Sequence, residues 1–233
     1  MIIFFLNIIT THIIIFSFGT LLLNLLFKEK INKINLSETP LFGIIALSFF
    51  SLIINFFLPL NKIIGTIILI CGLIYFFFII KINRFLLKKI FKIIFITSLL
   101  SGLLLSYSNI YRPDAGLYHL PFTSLLNESN IILGSVNINF RFGITSIIQY
   151  LSAIQNNFLF DIKSIMIPIA SIFSYTIYFL FQKSLKLRTK ENVIQKILIF
   201  LICCFSLISF GRFSNYGNDA VSHLYYFILI VLI

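Results

Sequence analysis

The chain has 233 residues, of which 59% are apolar, a formal charge of +11 and a mean hydropathy of +1.05. This is too apolar for an ordinary soluble domain, and uncharged apolar runs of about eighteen residues or more recur along it, each long enough to cross a bilayer. The positive charges fall in short clusters between those runs, which is a topology pattern and argues against nucleic acid as a partner. Cys71, Cys203 and Cys204 lie inside apolar runs with no metal-binding spacing.

Met1 to Phe27 carries no side-chain charge and no basic leader, so it is expected to be a spanning helix rather than a signal peptide. Asn7, Thr10, Ser17 and Asn24 form a stripe on one face, either lining a path or bonding across a helix seam. His12 falls off the stripe and is expected to be structural. Lys28 to Thr39 is a basic joint, Leu41 to Leu60 a second span, and Pro59, Asn61 and Lys62 a tight turn. Ile63 to Ile80 is a third span of about 27 Å. Lys81 to Lys92 carries five positive charges and no acid, and Ile93 to Ile110 is a fourth span. Beyond the loop at 111–161, Ile162 to Phe181 is a fifth span, with a kink expected at Pro168. Lys183 to Lys196 is again basic, and Ile197 to Phe210 is a short sixth span. Gly211 to Asn218 is turn-rich, and Asp219 opens a seventh helix. That helix is still apolar at Ile233, an ending that predicts a longer reading frame. The expected fold is all-α and polytopic, with about seven spans. It divides into a transmembrane region at 1–92 and a module at 93–233.

The joints after spans one, three and five hold thirteen Lys and Arg residues, and the rest of the chain holds five. The positive-inside rule places those joints in the cytoplasm. The amino terminus, the loop 111–161 and the joint at 211–219 are then outside.

The loop is the only long stretch that cannot sit in lipid, and function is expected there. It holds Asp114, Glu128 and Asp161, three of the seven acids, together with Arg112, His119 and Arg141. Within Gly143 to Asn157, Ile144, Ile147, Ile148, Leu151 and Ile154 share one helical face, and Thr145, Gln149, Ser152 and Asn156 share the other. This pattern fits a helix lying in the outer interface, or else one packed on the rest of the loop. Leu117 to Asn127 suggests a second interfacial helix, interrupted by Pro121.

Asp114 emerges where the fourth span meets outside water. Its carboxylate suits a general base or a ligand to a divalent cation, and His119 suits a proton shuttle or a phosphate contact. The competing reading has Asp114 capping a helix that begins at Ala115. Asp219 and His223 are four residues apart and share a helix face, with Asp219 equally suited to an N-cap. Arg141 and Arg212 suit bidentate phosphate binding, or headgroup anchoring.

The segment DAGLYHLP, followed by NINFRFGITSIIQYLSA on a long loop that opens with Asp, resembles the GT-C group of multi-pass membrane glycosyltransferases. It resembles more closely a set of bacterial membrane proteins with a GT-C-like arrangement, over Ile93 to Ile233. The resemblance implies transfer of a sugar, usually with inversion, from a polyprenyl-phosphate carrier to a glycan, lipid or protein acceptor. That reaction would take place at the outer face of the bacterial inner membrane. It implies that Asp114 activates the acceptor, in some members through a cation such as Mg or Mn. Arg141 and Arg212 would then hold phosphate, with His119, Asp219 and His223 in support. Two departures stand out: three spans precede the module, and the further helices of such enzymes do not follow. The alternative is a transporter, a flippase-like protein or an accessory subunit of cell-envelope glycan assembly. Transporters hold ionisable groups near the midplane, whereas here they sit mostly at the ends of spans.

Overall fold

The computed structural model describes residues 2–27, 35–107, 114–143, 146–160, 162–187, 193–214, 216 and 219–232, and every regular element among them is helical. Much of the first basic joint, Arg112, Ile144, Thr145, Asp161 and Glu191 lie outside the described residues. Helices α1 (Ile2–Phe27), α2 (Thr39–Phe57), α3 (Lys62–Ile82) and α4 (Leu87–Ser106) precede the loop. The loop carries α5 (Leu120–Glu128) and α6 (Ile147–Ala153). It is followed by α7 (Ile167–Lys186), α8 (Val193–Ile208), the short α9 (Phe210–Phe213) and α10 (Asp219–Leu232).

Five helices, α1 to α4 and α7, are long and apolar enough to cross a membrane. The expected sixth and seventh spans appear as apolar helices of 16 and 14 residues. At 1.5 Å per residue they extend about 24 and 21 Å, short of a hydrocarbon core of about 30 Å.

Local chemistry sets the helix ends. Leu58 is extended, as the residue before a proline is driven to be, and this stops α2 at Phe57 ahead of Pro59. Asn61 then caps α3, its side-chain oxygen accepting from the N–H groups of Ile63 and Ile64 at 3.1 Å each. Helix α4 begins six residues before the expected fourth span, so Lys88, Lys89 and Lys92 ride on its first turns. Lysine is a good helix former whose head can reach water from such a position. Pro168 sits in the first turn of α7, where its missing N–H costs no helical bond, so the expected kink is not formed.

Helix α1 is the axis of the fold and packs on α2, α3, α4 and α7. It meets α2 backbone to backbone at Gly19 and Gly43, where a Cβ on either residue would lie within about 2 Å of the other helix's carbonyl oxygen. The polar stripe on α1 is partly a seam, since Asn24 donates to the Tyr75 hydroxyl on α3 at 3.3 Å. His12 is fully buried and ties three helices together. Its Nδ1 meets the Thr97 hydroxyl at 3.1 Å, and its Nε2 meets Ser101 at 3.0 Å and Ser171 at 3.3 Å. The Tyr175 hydroxyl donates to the His12 carbonyl at 3.2 Å. Both ring nitrogens are engaged, which suits the structural role expected of it. The stretches 1–92 and 93–233 pack together along this line.

Helix α6 differs from the interfacial helix expected over Gly143 to Asn157. It is only seven residues long, and Ile148, Gln149, Tyr150, Leu151, Ser152 and Ala153 are all buried. The turn after it sinks into the bundle, where Thr11 donates to Gln155 Oε1 at 2.9 Å. Thr11 lies about 13 Å along α1 from its first residue. An amphipathic period shows that two faces differ in polarity. Here the polar face meets buried protein groups instead of water.

Candidate functional site

Asp114 opens a continuous helix that runs through a π-helical turn at Ala115–His119 into α5. Pro121 has no N–H to complete the α-helical ladder, and the chain widens just before it, with Leu120 N–H bonding to the Ala115 carbonyl. The expected helix over Leu117 to Asn127 is therefore present, with Pro121 in the first turn of α5.

Asp114 makes no capping bond. Its Oδ1 instead accepts from Arg141 Nη1 at 3.1 Å, the one ion pair among the described residues. The side chains of Arg141 and Asp114 are 38% and 63% exposed, so the pair faces open space. The Arg141 guanidinium lies 4.8 Å above the Tyr118 ring and 5.6 Å from that of Phe140. This aromatic floor fixes the plane of the guanidinium. Arg141, expected as a phosphate partner or a headgroup anchor, is thus engaged with the carboxylate.

His119 lies one layer deeper and is buried. Gln149 uses its side-chain oxygen to accept the N–H of Ser146 at 3.1 Å, completing a capping box on α6. That leaves its NH₂ to donate to His119 Nδ1 at 3.2 Å, which assigns the imidazole proton to Nε2. The His119 ring lies tilted against that of Tyr118, centroids 4.1 Å apart, and meets Tyr216 edge-on at 5.6 Å. The Tyr216 and Thr123 hydroxyls share a bond of 2.6 Å, and Thr123 also donates to the His119 carbonyl. Burial raises the Tyr216 hydroxyl above the usual phenol range, and the bond to Thr123 opposes that shift. Tyr150, on α6, is likewise raised by burial.

Tyr216, in the joint between α9 and α10, thus meets α5 of the loop through Thr123. The charged residues of that joint do not reach the ion pair. Arg212 is exposed beside an open hollow with Phe205, Ile208 and Ser209. His223 is exposed on α10. Neither makes a hydrogen bond or ion pair with Asp114 or Arg141 among the described residues. Asp219 is the first residue of α10, one turn before His223, and its side chain lies outside the described part. No three His, Cys, Asp or Glu side chains converge among the described residues. Among those residues, no further pair of carboxylate, His or Cys side chains joins Asp114 as the expected ligand set for Mg or Mn.

The family model described as a domain of unknown function (DUF8201) matches residues 1–233. The chain belongs to that family. No curated protein and no solved structure matches it.

The DUF8201 site is therefore defined by its own geometry. It has an outer layer, Asp114 and Arg141 over Tyr118, and an inner layer, His119, Gln149, Thr123 and Tyr216. Of the inner layer, His119 was expected as a site residue and Gln149 only as part of a polar helix face, while Thr123 and Tyr216 were not singled out. The Ser146-x-x-Gln149 spacing was a signal for the capping box, and hence for the orientation of Gln149. Nothing in the turn-rich joint marked Tyr216.

Proposed function

We propose that this DUF8201 chain is an integral membrane protein of GT-C-like type. In this reading it transfers a sugar from a polyprenyl-phosphate donor at the extracytoplasmic face. The observation that carries the reading is the exposed Asp114–Arg141 pair, held at the mouth of the loop by an aromatic floor. Such a transfer needs a base for the acceptor and a cation for the leaving phosphate. The acceptor hydroxyl oxygen attacks the anomeric carbon as its proton passes to the Asp114 carboxylate. The bond from the anomeric carbon to the phosphate oxygen breaks, and the polyprenyl phosphate leaves with its charge against Arg141. One carboxylate oxygen faces Arg141, which leaves the other open to the acceptor. Incoming phosphate competes for the same guanidinium, so donor binding itself loosens the pair and frees the base. The buried His119 layer sets the height of Tyr118, and through it that of Arg141.

The test is Asp114→Asn. Surface pairs of this exposure are worth about 0–1 kcal/mol, so folding should change little. Transfer should fall by roughly a hundredfold or more, as for a lost general base. The readout is release of polyprenyl phosphate from radiolabelled polyprenyl-phosphate sugars in membranes carrying the chain. Near-normal release by the variant, or no release by the wild type from any such donor, would overturn the proposal.

A second reading, as a transporter or accessory subunit, draws on His12, an ionisable group buried within α1. Substrate flux into proteoliposomes that continues in Asp114→Asn and stops in His12→Leu would favour it.

A further inference from the structure

Residues 129–140 read SNIILGSVNINF and contain no charge. Four large apolar side chains in this stretch point away from the protein. Leu133 is 91% exposed, Val136 49%, Ile138 66% and Phe140 72%. Exposed apolar side chains gathered in one short uncharged segment mark a surface that something apolar covers. Part of the backbone is meanwhile closed on itself. Gly134, at φ +79°, makes the turn, and its carbonyl accepts from Asn137 N–H at 2.8 Å. Ser135 O accepts from Ile138 and Asn139, and Asn139 O accepts from Phe142. The Asn139 side chain accepts from Arg141 N–H at 3.0 Å. The N–H groups of Asn137, Ile138, Asn139, Arg141 and Phe142 are thus engaged, which lowers the cost of moving this half of the segment out of bulk water.

The attachment of the segment sets its depth. Ile131 N–H bonds to the Asn55 carbonyl at 2.9 Å, and the Asn55 amide donates to Ser129 O at 3.0 Å. Asn55 is two residues from the end of α2, beside the exposed Phe56, Phe57 and Leu58. The segment therefore leaves the protein level with the last turn of a helix whose apolar side is uncovered.

From this geometry we infer that Leu133–Phe140 is a membrane-seated loop. Its four apolar side chains lie at the boundary of acyl chains and headgroups, in the leaflet on the loop's side. The occupant of this surface is bilayer lipid, because the segment continues the uncovered apolar end of α2. Ser135, Asn137 and Asn139 keep the insertion shallow, since their polar groups require water or headgroups. Arg141 follows directly and marks the border, its charge paired with Asp114 over aromatic rings. The loop thus sets the ion pair at headgroup height. The inference rests on the chain being a membrane protein and is independent of any transfer chemistry.

The chain contains no tryptophan, so a single one reports without background. The experiment places Phe140→Trp, Leu133→Trp or, on the end of α2, Phe57→Trp in the full chain reconstituted in liposomes. Quenching is measured with lipids brominated near the headgroup end of the chain or near its terminal methyl, and with aqueous iodide. Leu133 is almost wholly exposed, so its replacement disturbs no packing if Phe140→Trp fails to insert. The expected result is blue-shifted emission at 133 and 140. It should be quenched more by the bromine nearer the headgroup and little by iodide, to an extent comparable with position 57. Strong iodide quenching at 133 and 140 with lipid quenching kept at 57 would overturn the inference and leave the membrane reading intact. Protection from both quenchers at 133 and 140 would overturn it in favour of a protein partner. Absence of lipid quenching at 57 would remove the membrane reading and this inference with it.

Discussion

Replacing Gly19 by alanine tests the helix crossing on which the fold turns. A Cβ there would lie 2.0 Å from the Thr39 carbonyl oxygen and 2.9 Å from the Gly43 nitrogen. Both are backbone atoms, so no rotamer change can relieve the clash. Ordinary contact begins at 3.4 Å, so α1 and α2 must part by about 1.4 Å, the difference between 3.4 and 2.0. A gap of about 1 Å already forfeits up to half of the dispersion between facing atoms. Overpacking of this kind typically costs about 1–3 kcal/mol. Against it stands a gain of about 1 kcal/mol from replacing a helical glycine by alanine. With backbone on both sides the clash should lie at the upper end of its range, giving a net loss of about 2 kcal/mol. Gly116 is the control, since a Cβ there meets nothing within 4 Å. Gly116→Ala should be neutral or stabilising by up to about 1 kcal/mol. Unfolding in mixed micelles, followed by far-ultraviolet circular dichroism, measures both. A Gly19→Ala variant as stable as wild type, or Gly116→Ala equally damaging, would refute the backbone-to-backbone crossing.

Two further outcomes follow from the same structure. His12→Leu keeps bulk but loses three ring hydrogen bonds, which at about 0.6 kcal/mol each within a membrane should cost about 2 kcal/mol; a neutral result in the same micelle assay would reduce His12 to a space-filler. Because burial holds the Tyr216 proton above its unfolded pKa, the unfolded chain releases that proton first as pH rises. Stability should therefore be whole below about pH 10 and fall above it, and Tyr216→Phe should flatten that alkaline loss; an unchanged slope would refute the assignment.

The helices were legible because an uncharged run in lipid has no other way to satisfy its backbone. Boundaries were less so where polar residues are also helix formers, as Lys88, Lys89 and Lys92 are on α4. Asp114 and Arg141 stood out because charge is scarce in this chain. Their pairing did not, since they are 27 residues apart and the turns between them follow backbone geometry. Whether Asp114 caps its helix turned on whether a partner lay within reach, which spacing does not encode. For α6, the periodicity of Gln149 and Ser152 is the same whether that face meets water or buried protein. Only the packing of the loop on α1, α2 and α3 decides between them.

The loop is fastened almost entirely by uncharged amides, and this explains how a stretch with so few charges holds a defined ion pair. The Asn55 amide donates to the carbonyls of Leu58, Leu126 and Ser129, tying the end of α2 to the end of α5. The Asn127 amide donates to Leu60 and Ala153, and its oxygen accepts from Asn156 at 2.9 Å. Asn157 receives the N–H groups of Leu159 and Phe160, while Phe158 N–H reaches Thr66 on α3. Carbonyls at helix ends need donors, and an amide supplies them at the edge of a low-dielectric region without the desolvation cost of a charge. Lysine or arginine in those places would be drawn toward water and would pull the loop away from the bundle. Amides hold the loop on the helix ends, so the charged pair can sit at its rim with the His119 layer beneath. Asp114 and Arg141 therefore owe their placement to neutral side chains on α2, α3, α5 and the turn after α6.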